Sequence, residues 1–164
     1  MDTRRTIALI DDDRAWLDTL AEFLGDRGYH VHTAQGAASG LALLENFDAA
    51  AAVIDFRMPE MNGLQLLRRL RQRWGKLQVL LLSGDDDPLL QTRALEEGAF
   101  AFLSKGTSPG LLLRSLLHTL SNAMEANARA AAGSLWRRLL PAVRPSGPWL
   151  PALPRGDRLR GAPS

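Results

Sequence analysis

At 164 residues with 46% apolar content, the chain has room for one ordinary domain with an appendage, and enough hydrophobic mass to bury a proper core. The absence of cysteine excludes disulfides and thiolate metal sites, which fits a reducing compartment. The net charge of +2 conceals an asymmetry: residues 133–164 hold six arginines against Asp157 alone, so the basic balance belongs to the tail and is no sign that the domain binds nucleic acid.

No stretch approaches ~18 uninterrupted apolar residues, and the run Ile7 to Ile10 after Arg4-Arg5 is too short for a signal segment. A cytoplasmic protein without membrane attachment is expected. The first strand is predicted over residues 6–11, running into Asp11-Asp12-Asp13. An amphipathic helix follows, with Trp16, Leu17, Leu20, Phe23 and Leu24 on one face and a stop at Gly25 and Gly28. Residues 29–34 read as a second strand between glycines, and residues 37–46 as a helix. The third strand, 50–55, opens with small alanines and stops at Asp55, ahead of Phe56-Arg57-Met58-Pro59. After the Asn62-Gly63 turn, Leu64, Leu67, Leu70 and Trp74 recur at helical spacing. A fourth strand at 77–82 runs into Ser83-Gly84. Asp87-Pro88 and Ser108-Pro109 each place a capping side chain before a proline at the first helical position. Between them lie a helix ending near Glu97-Gly98 and a fifth strand at 101–105. The last helix carries a broad leucine stripe and is expected to reach Ala132.

Five strand signals alternating with five helix signals specify a doubly wound parallel sheet, because parallel neighbours need crossovers and helices supply them. Residues 1–132 form the expected domain. From Gly133 the composition changes: six of the nine prolines and six arginines fall in the last 32 residues, so residues 133–164 are expected to be a largely disordered tail. In such sheets ligands sit outside the carboxyl ends of the strands. Asp11, Asp12, Asp55 and Ser83 all stand at such ends.

Those acids, the run Met58-Pro59-Glu60-Met61-Asn62-Gly63 behind Asp55, Ser83-Gly84 and Lys105 together resemble the receiver domain of bacterial two-component response regulators, over roughly residues 5–125. The resemblance implies a flavodoxin-like (βα)5 sheet of order 2-1-3-4-5. It also implies that Asp55 accepts a phosphoryl group from a sensor histidine kinase or phosphotransfer protein. Electrostatics agrees on separate grounds: carboxylates ~5 Å apart at an effective dielectric near 20 repel by roughly 3 kcal/mol per pair, so the three acids call for a cation. All-oxygen ligands without histidine or cysteine point to a hard ion, Mg²⁺ with Mn²⁺ as a substitute.

By resemblance, Asp12, Asp55 and the backbone carbonyl of Arg57 bind the metal directly and Asp11 acts through water. Lys105 pairs with Asp55 before transfer and with a phosphoryl oxygen after it. Ser83 swings in to the phosphate, and Phe102 is the aromatic that changes rotamer with it. Two departures stand out: Gly106 follows the lysine where the family usually has proline, and Ser83 replaces the commoner threonine. Arg57 and Asp85 carry opposite charges at positions flanking the phosphoryl group, and are expected to bridge over it and shield it from water.

The tail is too short and too rich in proline for a DNA-binding domain, so direct DNA binding is not expected. The readout is expected on the face of the fourth helix, fifth strand and fifth helix, where the leucine stripe suits a homodimer or partner. The chain is not expected to be an enzyme beyond its own phosphorylation and dephosphorylation. The competing readings are a phosphorylation-independent interaction module and an Asp-dependent phosphohydrolase. The intact acid set argues against the first; the second lacks its further acid and any capping insertion.

Overall fold

A computed structural model describes residues 5–84, 87–106 and 109–139. The strands β1 (Thr6–Asp11), β2 (His30–Gln35), β3 (Ala51–Asp55), β4 (Gln78–Ser83) and β5 (Ala101–Ser104) alternate with the helices α1 (Arg14–Gly25), α2 (Ala37–Asn46), α3 (Gly63–Arg73), α4 (Pro88–Glu96) and α5 (Pro109–Leu139). All strand pairs are parallel and the sheet order is β2-β1-β3-β4-β5, the flavodoxin-like order expected. Strand ends shift by about a residue from the sequence reading. The shifts leave Ser83 as the last residue of β4 and Lys105 as the first beyond β5.

The central strands are buried on both faces, and their two-residue period splits the core into two layers. Ile10, Ile54 and Leu81 face Leu44 of α2, Leu67 and Leu70 of α3, and Ala94 of α4. Leu9, Val53 and Leu82 face Leu17, Leu20 and Leu24 of α1 and Leu112, Leu116 and Leu120 of α5. The carboxyl ends of β1 and β3 are thereby clamped between helices. What protrudes there is positioned by the core.

The helix starts are fixed by side chains. The Asp13 carboxylate caps α1 by accepting from Trp16 N at 3.1 Å. Asn62 and Gln65 form a reciprocal capping box on α3. Asp87 caps α4 with Pro88 in the first turn, as the sequence indicated. Ser108, the cap expected for the last helix, lies outside the described residues.

The last helix needs a correction: α5 passes the expected end at Ala132 and continues to Leu139. The alanine-rich run from Ala126 to Ala132 has high helix propensity, and one glycine at 133 costs only about 1 kcal/mol. Pro141 is the first strong breaker after it. Seven residues assigned to the tail are thus helical, Trp136 among them. The rest of the expected tail, residues 140–164, lies outside the described residues.

Candidate functional site

Register decides which side chains meet. Ile10 pairs with Ile54, so Asp11 and Asp55 leave neighbouring strands at the same level; Asp55 pairs with Leu82, and Ser83 with Ser104. The Lys105 amide then donates to the Ser83 carbonyl at 2.6 Å, which fixes the lysine backbone beside the acids. Asp11 and Asp55 are buried at 3% and 6% exposure, and Ser83 is fully buried. Asp12 is exposed at the mouth of the site.

One oxygen from each of Asp11, Asp12 and Asp55 falls within 4.8 Å of the others. This is the spacing at which carboxylates converge on one small cation, and the donor set is wholly oxygen. The residues therefore fit Mg²⁺ or Mn²⁺, as expected from their chemistry.

Lys105 brings an ammonium to the acids. Its Nζ lies 2.7 Å from Asp11 Oδ2 and 2.7 Å from Asp55 Oδ1. The sequence paired it with Asp55; the structure adds Asp11. Burial pushes the Asp55 carboxyl above its ordinary range, the Lys105 hydrogen bond pulls against that, and the charges of Asp11 and Asp12 reinforce the rise. For Lys105, burial works to lower the pKa, but the hydrogen bonds and charges of Asp11 and Asp55 outweigh it. The lysine is thus held as an ammonium, above its ordinary value. An ammonium shared by two buried carboxylates relieves the repulsion that the sequence implied.

A second ring of contacts supports the first. Asp11 Oδ1 accepts from the Asp13 amide at 3.0 Å, so Asp11 orients the residue that caps α1. At the start of that helix the Trp16 ring faces Lys105, with Nζ 5.3 Å from the ring centre. Sequence reasoning placed Trp16 only on a core-facing stripe. Its position in the first turn after the acid triplet was the available signal. Gly63 was likewise read as a turn, yet a Cβ there would stand 2.6 Å from the Asp55 carbonyl oxygen and 2.9 Å from Phe56 Cα. Only glycine lets α3 start so close to the residue that carries the acid.

Of the remaining expected residues, Phe102 is half-buried on β5, packed against the core layer of α2, α3 and α4. It lines a cleft of about 270 Å³ with Pro88 and Gln91 of α4 and Leu112 of α5. Arg57 is exposed just beyond β3. Asp85, its expected partner over the site, lies outside the described residues.

Residues 7–117 match the family model described as the response regulator receiver domain. The chain belongs to that family. As a receiver it is similar to the photosynthetic apparatus regulatory protein RegA of Rhodobacter capsulatus, 33% identical over 113 residues that make up 69% of this chain and 61% of the relative. It is also similar to the transcriptional regulatory protein FixJ of Bradyrhizobium diazoefficiens, 33% identical over 105 residues, 64% of this chain and 51% of that one. The receiver therefore spans about half to three-fifths of these relatives. Among solved structures, a Clostridium thermocellum receiver domain superposes with a TM-score of 0.70 at 25% identity, covering 76% of this chain and 98% of that one. The signal receiver domain of an HD-domain protein from Pseudomonas fluorescens Pf-5 gives 0.69 at 30% identity, covering 77% and 98%.

The fold and the place of this receiver in two-component signalling follow directly. The expectation that the chain makes no direct contact with DNA finds no support here, because the relatives are regulators, FixJ a transcriptional one by name, that extend beyond the matched region. Among the described residues no helix is long and apolar enough to cross a membrane.

Proposed function

We propose that this receiver accepts a phosphoryl group on Asp55 from a sensor histidine kinase or phosphotransfer protein in the cytoplasm, and that the modification changes which protein surface it presents. The observation that carries the reading is the Lys105 ammonium held 2.7 Å from both Asp11 and Asp55. It gathers two buried carboxylates at the carboxyl end of the sheet around one shared ammonium.

Asp12, Asp55 and the Arg57 carbonyl would hold Mg²⁺, with Asp11 reaching it through water. When bound, the metal neutralises phosphoryl oxygens and clamps them for transfer. An Asp55 carboxylate oxygen attacks the donor's phosphorus in line; the new O–P bond forms as the donor's bond to phosphorus breaks and its electron pair leaves with the donor. Lys105 shifts from the carboxylate to a phosphoryl oxygen. The Ser83 hydroxyl turns to a second one, and Phe102, which has no hydroxyl to satisfy, settles toward the core. The face carrying that change includes Leu89 and Leu95 of α4 and Leu111 of α5, all exposed, which suits a homodimer or a protein partner. The chain catalyses only its own phosphorylation and dephosphorylation.

The test is intact mass after incubation with acetyl phosphate, with Mg²⁺ or with EDTA, beside Asp55→Asn. The expected result is a gain of one phosphoryl group that requires both Mg²⁺ and Asp55. Continuous release of phosphate without a labelled protein, or labelling that survives Asp55→Asn, would overturn the reading.

A further inference from the structure

We infer that Trp16 is the positioning residue for Lys105: the indole face holds the ammonium in its place beside the acids. The inference rests on Asp55 being the phosphoacceptor. A lysine has a four-carbon stem with about 2 kcal/mol of rotamer entropy. The following residue, Gly106, ties its amide to Ser104 Oγ at 3.0 Å but has no side chain to press on the lysine stem. Two carboxylates hold the ammonium in the resting site. Those carboxylates are also the groups that a metal and a phosphoryl group would engage, which loosens their hold on the lysine during transfer. A further holder that does not compete for their lone pairs is needed beside them.

The Trp16 ring meets that requirement. The ammonium sits 5.3 Å from the ring centre, inside the ~6 Å range where the quadrupole of an aromatic face attracts a cation. The ring itself is fixed. It packs against the apolar layer of α1, β1 and β3, and among the described residues its buried Nε1 has no acceptor, so packing rather than a hydrogen bond sets its plane. It lines a small void beneath the acids together with Asp11, Asp55, Leu17 and Val53. Its backbone is tied to the site as well. Asp11 Oδ1 accepts from Asp13 N, Asp13 Oδ1 accepts from Trp16 N, the Trp16 face meets Lys105, and Lys105 returns to Asp11 Oδ2. The four residues form a closed circuit, and Trp16 is the member that leaves both carboxylates free for other ligands.

A double-mutant cycle on the full chain tests this. The rate of Asp55 labelling by acetyl phosphate and Mg²⁺, read by intact mass, is compared for wild type, Trp16→Phe and Trp16→Leu, each with Lys105 and with Lys105→Met, after thermal melts establish that each variant folds. Trp16→Leu is expected to slow labelling by about fivefold, roughly 1 kcal/mol at 1.36 kcal/mol per tenfold, with Trp16→Phe falling between it and wild type. In the Lys105→Met background the same substitutions are expected to have no effect. Equal slowing in both backgrounds, or no slowing with Lys105 present, would overturn the inference. Should Trp16→Leu fail to fold, or wild type fail to label, emission decides in a chain carrying Trp74→Phe, Trp136→Phe and Trp149→Phe. Lys105→Met is expected to change the emission of the remaining Trp16, and an unchanged spectrum would refute the contact. Failure of labelling in wild type would instead refute the phosphoacceptor reading and leave the emission result standing.

Discussion

Asp55 is a carboxylate kept under conditions that disfavour its charge. It is buried, it has Asp11 beside it, and one ammonium serves both. Because burial raises its pKa above 3.8, the folded state binds more protons than the unfolded chain between that value and the raised native one. An acid with a raised native pKa lowers stability as pH rises through this window, and the deficit is complete above it. Asp55→Asn is therefore expected to melt higher than wild type at pH 7, with Lys105 retaining Asp11 as its partner. Toward pH 3.8 and below, the difference should shrink as wild-type Asp55 takes up its proton. Thermal melts across that range check both the sign and the closing of the gap. A mutant that melts lower at every pH would mean that the lost Lys105 contact outweighs the relief of burial.

At the scale of elements, the seat of Asp55 depends on where α3 begins. The Asn62–Gln65 capping box starts the helix, and Gly63 lets its first turn close against the end of β3. A methyl group there meets backbone rather than a yielding side chain. Gly63→Ala is expected to cost about 1–3 kcal/mol in denaturant unfolding. It should also slow Asp55 labelling, because the backbone that must give way is that of Asp55 itself. Much of this element plan was legible from sequence. Val53-Ile54-Asp55 and Leu81-Leu82-Ser83 announce buried strands that end on polar side chains, and Asp87-Pro88 announces a helix start. Gly63 was legible only as a turn, since a requirement for close approach shows itself once two distant elements are docked. Trp16 was hidden for the opposite reason: its apolar spacing was fully explained by the core, and its place in the first turn after the acids put it near the site without naming Lys105 as its partner. Gly133 misled, because the alanines before it and the absence of proline until Pro141 outweigh one glycine.

Taken whole, the molecule separates its chemistry from one of its fastenings along the sheet. The acids and Lys105 gather at the carboxyl ends of the strands. At the opposite end, Asn127 of α5 donates to the Ala50 carbonyl at 2.8 Å and accepts from Gln78 Nε2 at 2.9 Å, joining the last helix to the starts of β3 and β4. Asn127→Ala takes the acceptor from the Gln78 side-chain amide and one of two donors from the Ala50 carbonyl, which keeps the Gln78 backbone N–H at 3.3 Å, and should lower unfolding free energy by about 1 kcal/mol while leaving the rate of Asp55 labelling unchanged. Chemical denaturation and intact mass on the same preparation would show the two properties moving apart.

That fastening also sets how α5 behaves past it. From Asn127 the helix runs a further twelve residues to Leu139, about 18 Å at 1.5 Å per residue, and residues 128–132 along it are exposed. A helix of this length is stiff compared with a loop. A small tilt of α5 about Asn127 would displace its far end sideways, in proportion to the distance from that pivot. The receiver thus carries its own lever arm, with Asn127 close to the fulcrum.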